Sequence, residues 1–348
     1  MMEPQPQPSG NGLRVPAVAI FLLLLFFTMG LVIFSFPAGA YAVYVGPLGN
    51  YTSSALFRPY LWVGPVLVPA GFNLIVGEAF AMLTLVYAVM LVFAAYQKRS
   101  MISAIRASFS EGVGALLSSP LIVLMVAIGF TISGGSLIDN LVSGAGAPIG
   151  TIQGDPLVLL LGFTLAPLVE EIGFRVVLIG IVAALLASNR PLKEVLRALW
   201  RPSSAYEGMA VGSGAAILIW AATGFSAVTF GACHVLCGSG WDWGKFFEAA
   251  FGGAVLGYLY VKHGLHIAVL THWGVDYFGS VYSFYGQAAY GIPWDSNTRE
   301  FIGQYLVDID TILLFGVASL LLVAYVGITR FAKRKELQPS TPVPVGSS

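Results

Sequence analysis

Runs of about 20 mainly apolar residues, enough to cross a bilayer, recur along the chain with short polar stretches between them. Eight are legible, approximately at 15–44, 70–96, 112–134, 156–187, 208–236, 244–262, 265–286 and 308–330. Each predicts a transmembrane helix, so the expected fold class is all-α, a polytopic membrane protein of about eight helices. Basic residues orient them, because cytoplasmic loops carry the Lys/Arg excess. Lys98, Arg99 and Arg106 lie between spans two and three; Arg190, Lys193, Arg197 and Arg201 between four and five; Lys262 between six and seven; and Arg330, Lys333, Arg334 and Lys335 after span eight. All of these fall on one side if both termini are cytoplasmic. On the opposite side Arg58 and Lys245 stand alone, residues 134–156 carry no basic group and residues 287–307 carry only Arg299.

The pattern divides the chain into a disordered tail at 1–14, N-terminal transmembrane helices at 15–150, a helical core at 151–290, a loop and last span at 291–331, and a disordered cytoplasmic tail at 332–348. The segment from Pro191 to Trp200 is amphipathic. It suits either a helix lying on the membrane surface or an ordinary connection. The Pro- and Gln-rich start lacks the basic opening of a signal peptide, so the first span is expected to be retained.

Composition sharpens this picture. Hydrophobic residues make up 57% of the 348 and charged residues only 10%, against about 25% charged in an ordinary soluble domain. Lys plus Arg and Asp plus Glu balance at 17 each, leaving no basic excess for a nucleic acid. The two cysteines, Cys233 and Cys237, are four apart on an expected helix. A disulfide between them would be an awkward fit, so they are read as small packing residues, although they bracket His234.

Ionisable groups inside spans are costly and by default mark a functional interior. Here they are Glu78 in span two, Glu170, Glu171 and Arg175 in span four, the four histidines His234, His263, His266 and His272, and Asp276. Glu171 and Arg175 are four apart, acid before base, which is the favoured order for an ion pair on one helix face. Glu170 is rotated about 100° away and is left available as a general base. His272 and Asp276 repeat the four-residue spacing on span seven, and His234 lies late in span five. A glutamate and two histidines can activate a water, and they can also hold zinc, although the spacing differs from HExxH. His263 and His266 are read as packing or interfacial residues.

Three short motifs carry a resemblance: EEIGFR from Glu170 to Arg175, FGACH from Phe230 to His234, and HWGVD from His272 to Asp276. The chain resembles the CPBP family of intramembrane proteases, also called the CAAX protease and bacteriocin-processing or Abi family, over roughly residues 155–285. The resemblance implies that Glu170 and His234 activate the attacking water, that His272 and Asp276 stabilise the oxyanion, and that Glu171 and Arg175 organise the site. Asp276 stands where the eukaryotic prenyl proteases usually carry Asn, so an orienting role towards His272 is the alternative. No cofactor is required on this reading; zinc, if present, takes Glu170, His234 and His272 as ligands.

The expected activity is hydrolysis of a peptide bond in a membrane-associated protein or peptide, of CAAX or leader type. The expected surroundings are a lipid bilayer, namely a prokaryotic plasma membrane or, in a eukaryote, the endoplasmic reticulum. The oligomeric state is left open. Two other classes fit the same residues, a non-catalytic scaffold or immunity protein and a proton-coupled transporter.

Overall fold

The computed structural model describes residues 14–45, 55–97, 99–150, 156–209, 212–237, 240–290 and 309–336. The chain begins with helix α1 (Arg14–Tyr44), then a β excursion of four short strands, β1 (Leu56–Phe57), β2 (Tyr60–Val63), β3 (Val66–Pro69) and β4 (Leu74–Ile75). Helices α2 (Val76–Tyr96), α3 (Met101–Glu111) and α4 (Pro120–Gly144) follow. Next comes α5 (Pro156–Glu170), which runs without a break through a π-helical segment, Glu171–Gly180, into α6 (Ile181–Leu186). The last elements are α7 (Leu192–Trp200), α8 (Gly214–Leu236), α9 (Lys245–His263), α10 (Leu265–Tyr290) and α11 (Ile309–Glu336). The fold is an all-α membrane bundle, and α1, α2, α4, α8 and α11 contain stretches long and apolar enough to cross a membrane.

Several expected boundaries move. The second span begins at Val76 and not at 70, because residues 56–75 form the hairpin. Glu78 therefore sits exposed in the first turn of α2, where the positive end of the helix dipole favours a carboxylate. The third expected span, 112–134, is shifted along the chain: its helix, α4, runs from Pro120 to Gly144. Of the expected tails 1–14 and 332–348, Arg14 opens α1 and residues 332–336 continue α11, while 1–13 and 337–348, like the stretch 291–308 with Arg299, lie outside the described residues.

The basic loops meet at one end of the bundle. His266 Nε2 lies 2.9 Å from Gln97 Oε1 at the end of α2, and its ring stacks on Trp200, with centroids 5.6 Å apart. Lys262 Nζ reaches the Tyr206 hydroxyl at 3.4 Å. His266 is fully buried in these contacts and acts as a packing residue, as its position beside Lys262 suggests. In α7, Leu192 and Leu196 stay exposed while Arg197 pairs with Glu194 and Glu207.

In lipid, helices gain little from burying apolar surface against each other, so close contact between small residues matters more. The α8–α9 pair follows this rule: a Cβ at Gly231 would meet the Phe246 carbonyl at 2.7 Å and Ala250 Cβ at 2.9 Å. Elsewhere aromatic side chains lock α10 in place. Trp273 is 1% exposed and packs against Tyr87, Tyr277 and Phe36 at centroid distances of 5.4, 5.2 and 5.1 Å. The Tyr277 and Tyr282 hydroxyls donate to the Ser35 and Leu31 carbonyls of α1. These anchors hold His272, the neighbour of Trp273, in a defined position.

Candidate active site

Glu170 is the last α-helical residue before the π segment, and the change of winding falls on the glutamate pair. A π turn inserts an extra residue per turn and is found disproportionately at functional sites. Here Glu171 and Arg175 point inward, both with fully buried side chains, with Arg175 Nε 3.1 Å from Glu171 Oε2. Arg175 Nη1 donates to Ser226 Oγ on α8 at 3.1 Å, and Ser226 donates on to the Phe174 carbonyl at 2.8 Å. The guanidinium also lies 4.6 Å from the centroid of the Phe230 ring. These contacts fix the π segment to α8, so Arg175 binds two walls of the site together.

His272 is 5% exposed and stands among three carboxylates. Its Nδ1 is 3.0 Å from Glu171 Oε1, and its Nε2 is 3.2 Å from Asp276 Oδ2 and 3.7 Å from Glu170 Oε2. A neutral imidazole has one N–H and cannot donate on both sides. Either the ring is an imidazolium or one of the carboxyls facing it holds a proton. His234 is placed differently. Its Nδ1 is 2.9 Å from the Phe230 carbonyl; a carbonyl only accepts, so Nδ1 carries the hydrogen and Nε2 is the acceptor of the neutral ring. Phe230 packs between the two imidazoles, with centroids 4.6 Å from His234 and 5.7 Å from His272.

Glu170, His234 and Asp276 line one cavity of about 810 Å³, and His234, His272 and Asp276 border a smaller space beside it. The six expected site residues therefore converge, although His234 lies in the last turn of α8. Glu170 is 14 residues into a helical run of 31, from Pro156 to Leu186. At about 1.5 Å per residue such a run exceeds a bilayer core by roughly 15 Å. Glu170 need not lie at mid-membrane, and the helix end that carries His234 can reach it.

Cys233 and Cys237 correct the sequence expectation. They are joined in a disulfide, with Cα atoms 5.1 Å apart, inside the range that a bridge can span. The helix ends at Leu236 and Cys237 is its C-cap, so the second cysteine leaves regular helical geometry and turns back towards the first. Both line the cavity beside His234.

The sequence did not point to the other walls. Tyr60 and Trp62 of β2 line the cavity, and the indole packs 5.9 Å from the Phe174 ring. The hairpin docks closely on the π segment: Gly64 N–H donates to the Gly173 carbonyl at 3.2 Å, and a Cβ at Gly173 would meet Trp62 Cβ at 2.4 Å. Burial, and after it the charges of Glu170 and Asp276, push the Tyr60 phenol up from its ordinary value, so the hydroxyl keeps its proton as a donor. Lys245 also lines the cavity, pairs with Glu248 and lies 4.3 Å over the Trp241 ring. The alternating YLWV run followed by Gly-Pro is a hairpin signal, hidden by its closeness to an apolar span. For Lys245, only its position on a side poor in basic residues marked it.

A zinc site needs three or four donors converging at about 2 Å from one point. Among the described residues no three His, Cys, Asp or Glu side chains are grouped to hold a metal ion.

Residues 152–278 match a family model described as Type II CAAX prenyl endopeptidase Rce1-like. The matched stretch contains Glu170, Glu171, Arg175, His234, His272 and Asp276, and it is consistent with the CPBP and CAAX protease family; it leaves out the hairpin and α1 to α4. No curated protein and no solved structure matches the chain.

Proposed function

We propose that the chain is an intramembrane endopeptidase in which Glu170 and His234 activate a water for attack on a peptide bond of a membrane-associated substrate. The observation that carries this reading is the convergence of Glu170, His234 and Asp276 on one cavity, with His272 bonded between Glu171 and Asp276. Water enters between Glu170 and His234. The carboxylate takes one proton, and His234 Nε2, fixed as an acceptor by the Phe230 carbonyl, holds the water in line. The hydroxide adds to the scissile carbonyl. His272, as an imidazolium, turns its Nε2–H towards the carboxylates of the cavity and is the donor for the oxyanion. Asp276 orients that ring and does not itself donate. Glu170 then returns its proton to the leaving amine. No metal is needed for this sequence of steps.

The substrate is a CAAX-type or leader-type segment that enters from the bilayer. The protein spans the membrane eight times, with both termini cytoplasmic, in a prokaryotic plasma membrane. The test compares membrane-fraction peptide termini, by mass spectrometry, between cells expressing the native chain and cells expressing equal amounts of Glu170→Gln. Termini dependent on Glu170 are expected. Identical sets, with both proteins folded, would overturn the reading in favour of a scaffold or a transporter, and pH-dependent flux would separate these two.

A further inference from the structure

The turn of α8 that carries His234 is cross-linked to itself. The helix ends at Leu236, two residues after His234. A helix leaves its last carbonyls without intrahelical donors, and its end turns fray most readily. The Cys233–Cys237 disulfide spans this turn, from the residue before His234 to the C-cap after it, and the Cys237 N–H donates to the Cys233 carbonyl at 3.0 Å. The two ends of the bridge differ. Cys233 is 7% exposed and packs with Phe174, Phe230 and Ala249. Cys237 is exposed, with its Sγ 4.0 Å from the Pro65 carbonyl in the turn between β2 and β3. The bridge thus ties the outer end of the turn to the end that is fixed by packing.

We infer that the Cys233–Cys237 disulfide is a positioning bridge: it holds His234 where it directs the attacking water, so hydrolysis depends on the oxidation of this pair. This rests on the proposed hydrolysis. A disulfide stabilises a fold chiefly by constraining the unfolded chain, and more so the longer the loop it closes. With a separation of only four positions this one constrains the unfolded chain little. Its effect is local, and the residue enclosed next to Cys233 is His234, which lines the cavity. His234 Nδ1 is bonded to the Phe230 carbonyl one turn back, a contact that lasts only while the turn stays wound. Reduction is an exchange with a dithiol. Its thiolate attacks the exposed Cys237 sulfur, the S–S bond breaks, and Cys233 leaves and takes a proton. The second thiol of the reductant then closes it into its own disulfide and releases Cys237 as a thiol. The bridge shares the cavity wall with Gly150, Trp241 and Lys245 of the loops opposite the basic ones. That side is expected to lie outside the cytoplasm, where a disulfide persists.

The experiment uses the full-length protein in detergent and a synthetic peptide spanning a cut site defined by the Glu170-dependent termini. Dithiothreitol is added and free thiols are counted to confirm reduction. The reduced protein is expected to lose kcat about ten- to hundredfold, as for a catalytic group displaced by about 1 Å, with KM within about twofold, and reoxidation should restore it. Cys237→Ser should start at the low kcat, ignore the dithiol and unfold near the native midpoint. A native kcat in Cys237→Ser, or in the protein with both thiols free, would overturn the bridge while leaving hydrolysis intact. So would a fall in kcat matched by a large fall in the unfolding midpoint, which marks a staple of the fold. Absence of any Glu170-dependent termini would remove hydrolysis, and this inference with it.

Discussion

At the scale of single residues, the two adjacent glutamates have different surroundings and should fail differently. Glu171 and Arg175 are both fully buried, so removing one charge strands the other. Breaking a buried pair in this way costs about 3–5 kcal/mol. Glu171→Gln should therefore lower the unfolding midpoint in detergent markedly. Glu170→Gln keeps the side-chain shape in a position that is 16% exposed to the cavity and should unfold near the native midpoint while losing hydrolysis. Equal midpoints for the two variants would contradict the division between organising and reacting carboxylate. The i to i+4 spacing made the Glu171–Arg175 pair legible in the sequence. The bond from Glu171 to His272, across 101 positions of the chain, was not, because no local pattern encodes which helix faces which.

At the scale of elements, the π segment and the α8–α9 pair set the geometry. Arg175 ties the π segment to α8 through Ser226, and Gly231 allows α9 to approach α8 just before His234. A side chain at Gly231 must push against backbone and Ala250, neither of which is flexible. Gly231→Val is expected to separate the helices and displace His234, abolishing cleavage with a loss of stability of about 1–3 kcal/mol, as for overpacking. Retained cleavage and an unchanged melting curve would show that the helices do not need this contact. Helix existence followed from apolar run length alone, since eight runs gave eight long helices, among them those with the motifs. The π winding and the hairpin were hidden for a physical reason. Both arise where local sequence is compatible with ordinary helix or span and neighbouring elements select another form.

At the scale of the whole molecule, the basic loops gather at one end, through contacts such as Gln97 with His266 and Lys262 with Tyr206. The cavity is bordered by residues of the opposite loops, Gly150, Trp241 and Lys245. If the basic end is cytoplasmic, the cavity is expected to lie towards the outer face. Reporter fusions test this: a fluorescent protein after Ser348 should fluoresce, and alkaline phosphatase inserted in the loop between α8 and α9 should be active. The reverse result would invert the assignment and place the site on the cytoplasmic side.

The sequence by itself determined the solvent and put forward a candidate chemistry. Long apolar runs can satisfy their backbone in lipid only as helices, and ionisable groups inside them are costly, which together with the three motifs put forward Glu170, Glu171, Arg175, His234, His272 and Asp276 as candidates. The tertiary structure decided who their partners are, that the two cysteines join, and that a hairpin from the N-terminal part closes the cavity wall. Those outcomes depend on distances between segments far apart in the chain, and a distance of that kind is fixed by the packing of all the helices together.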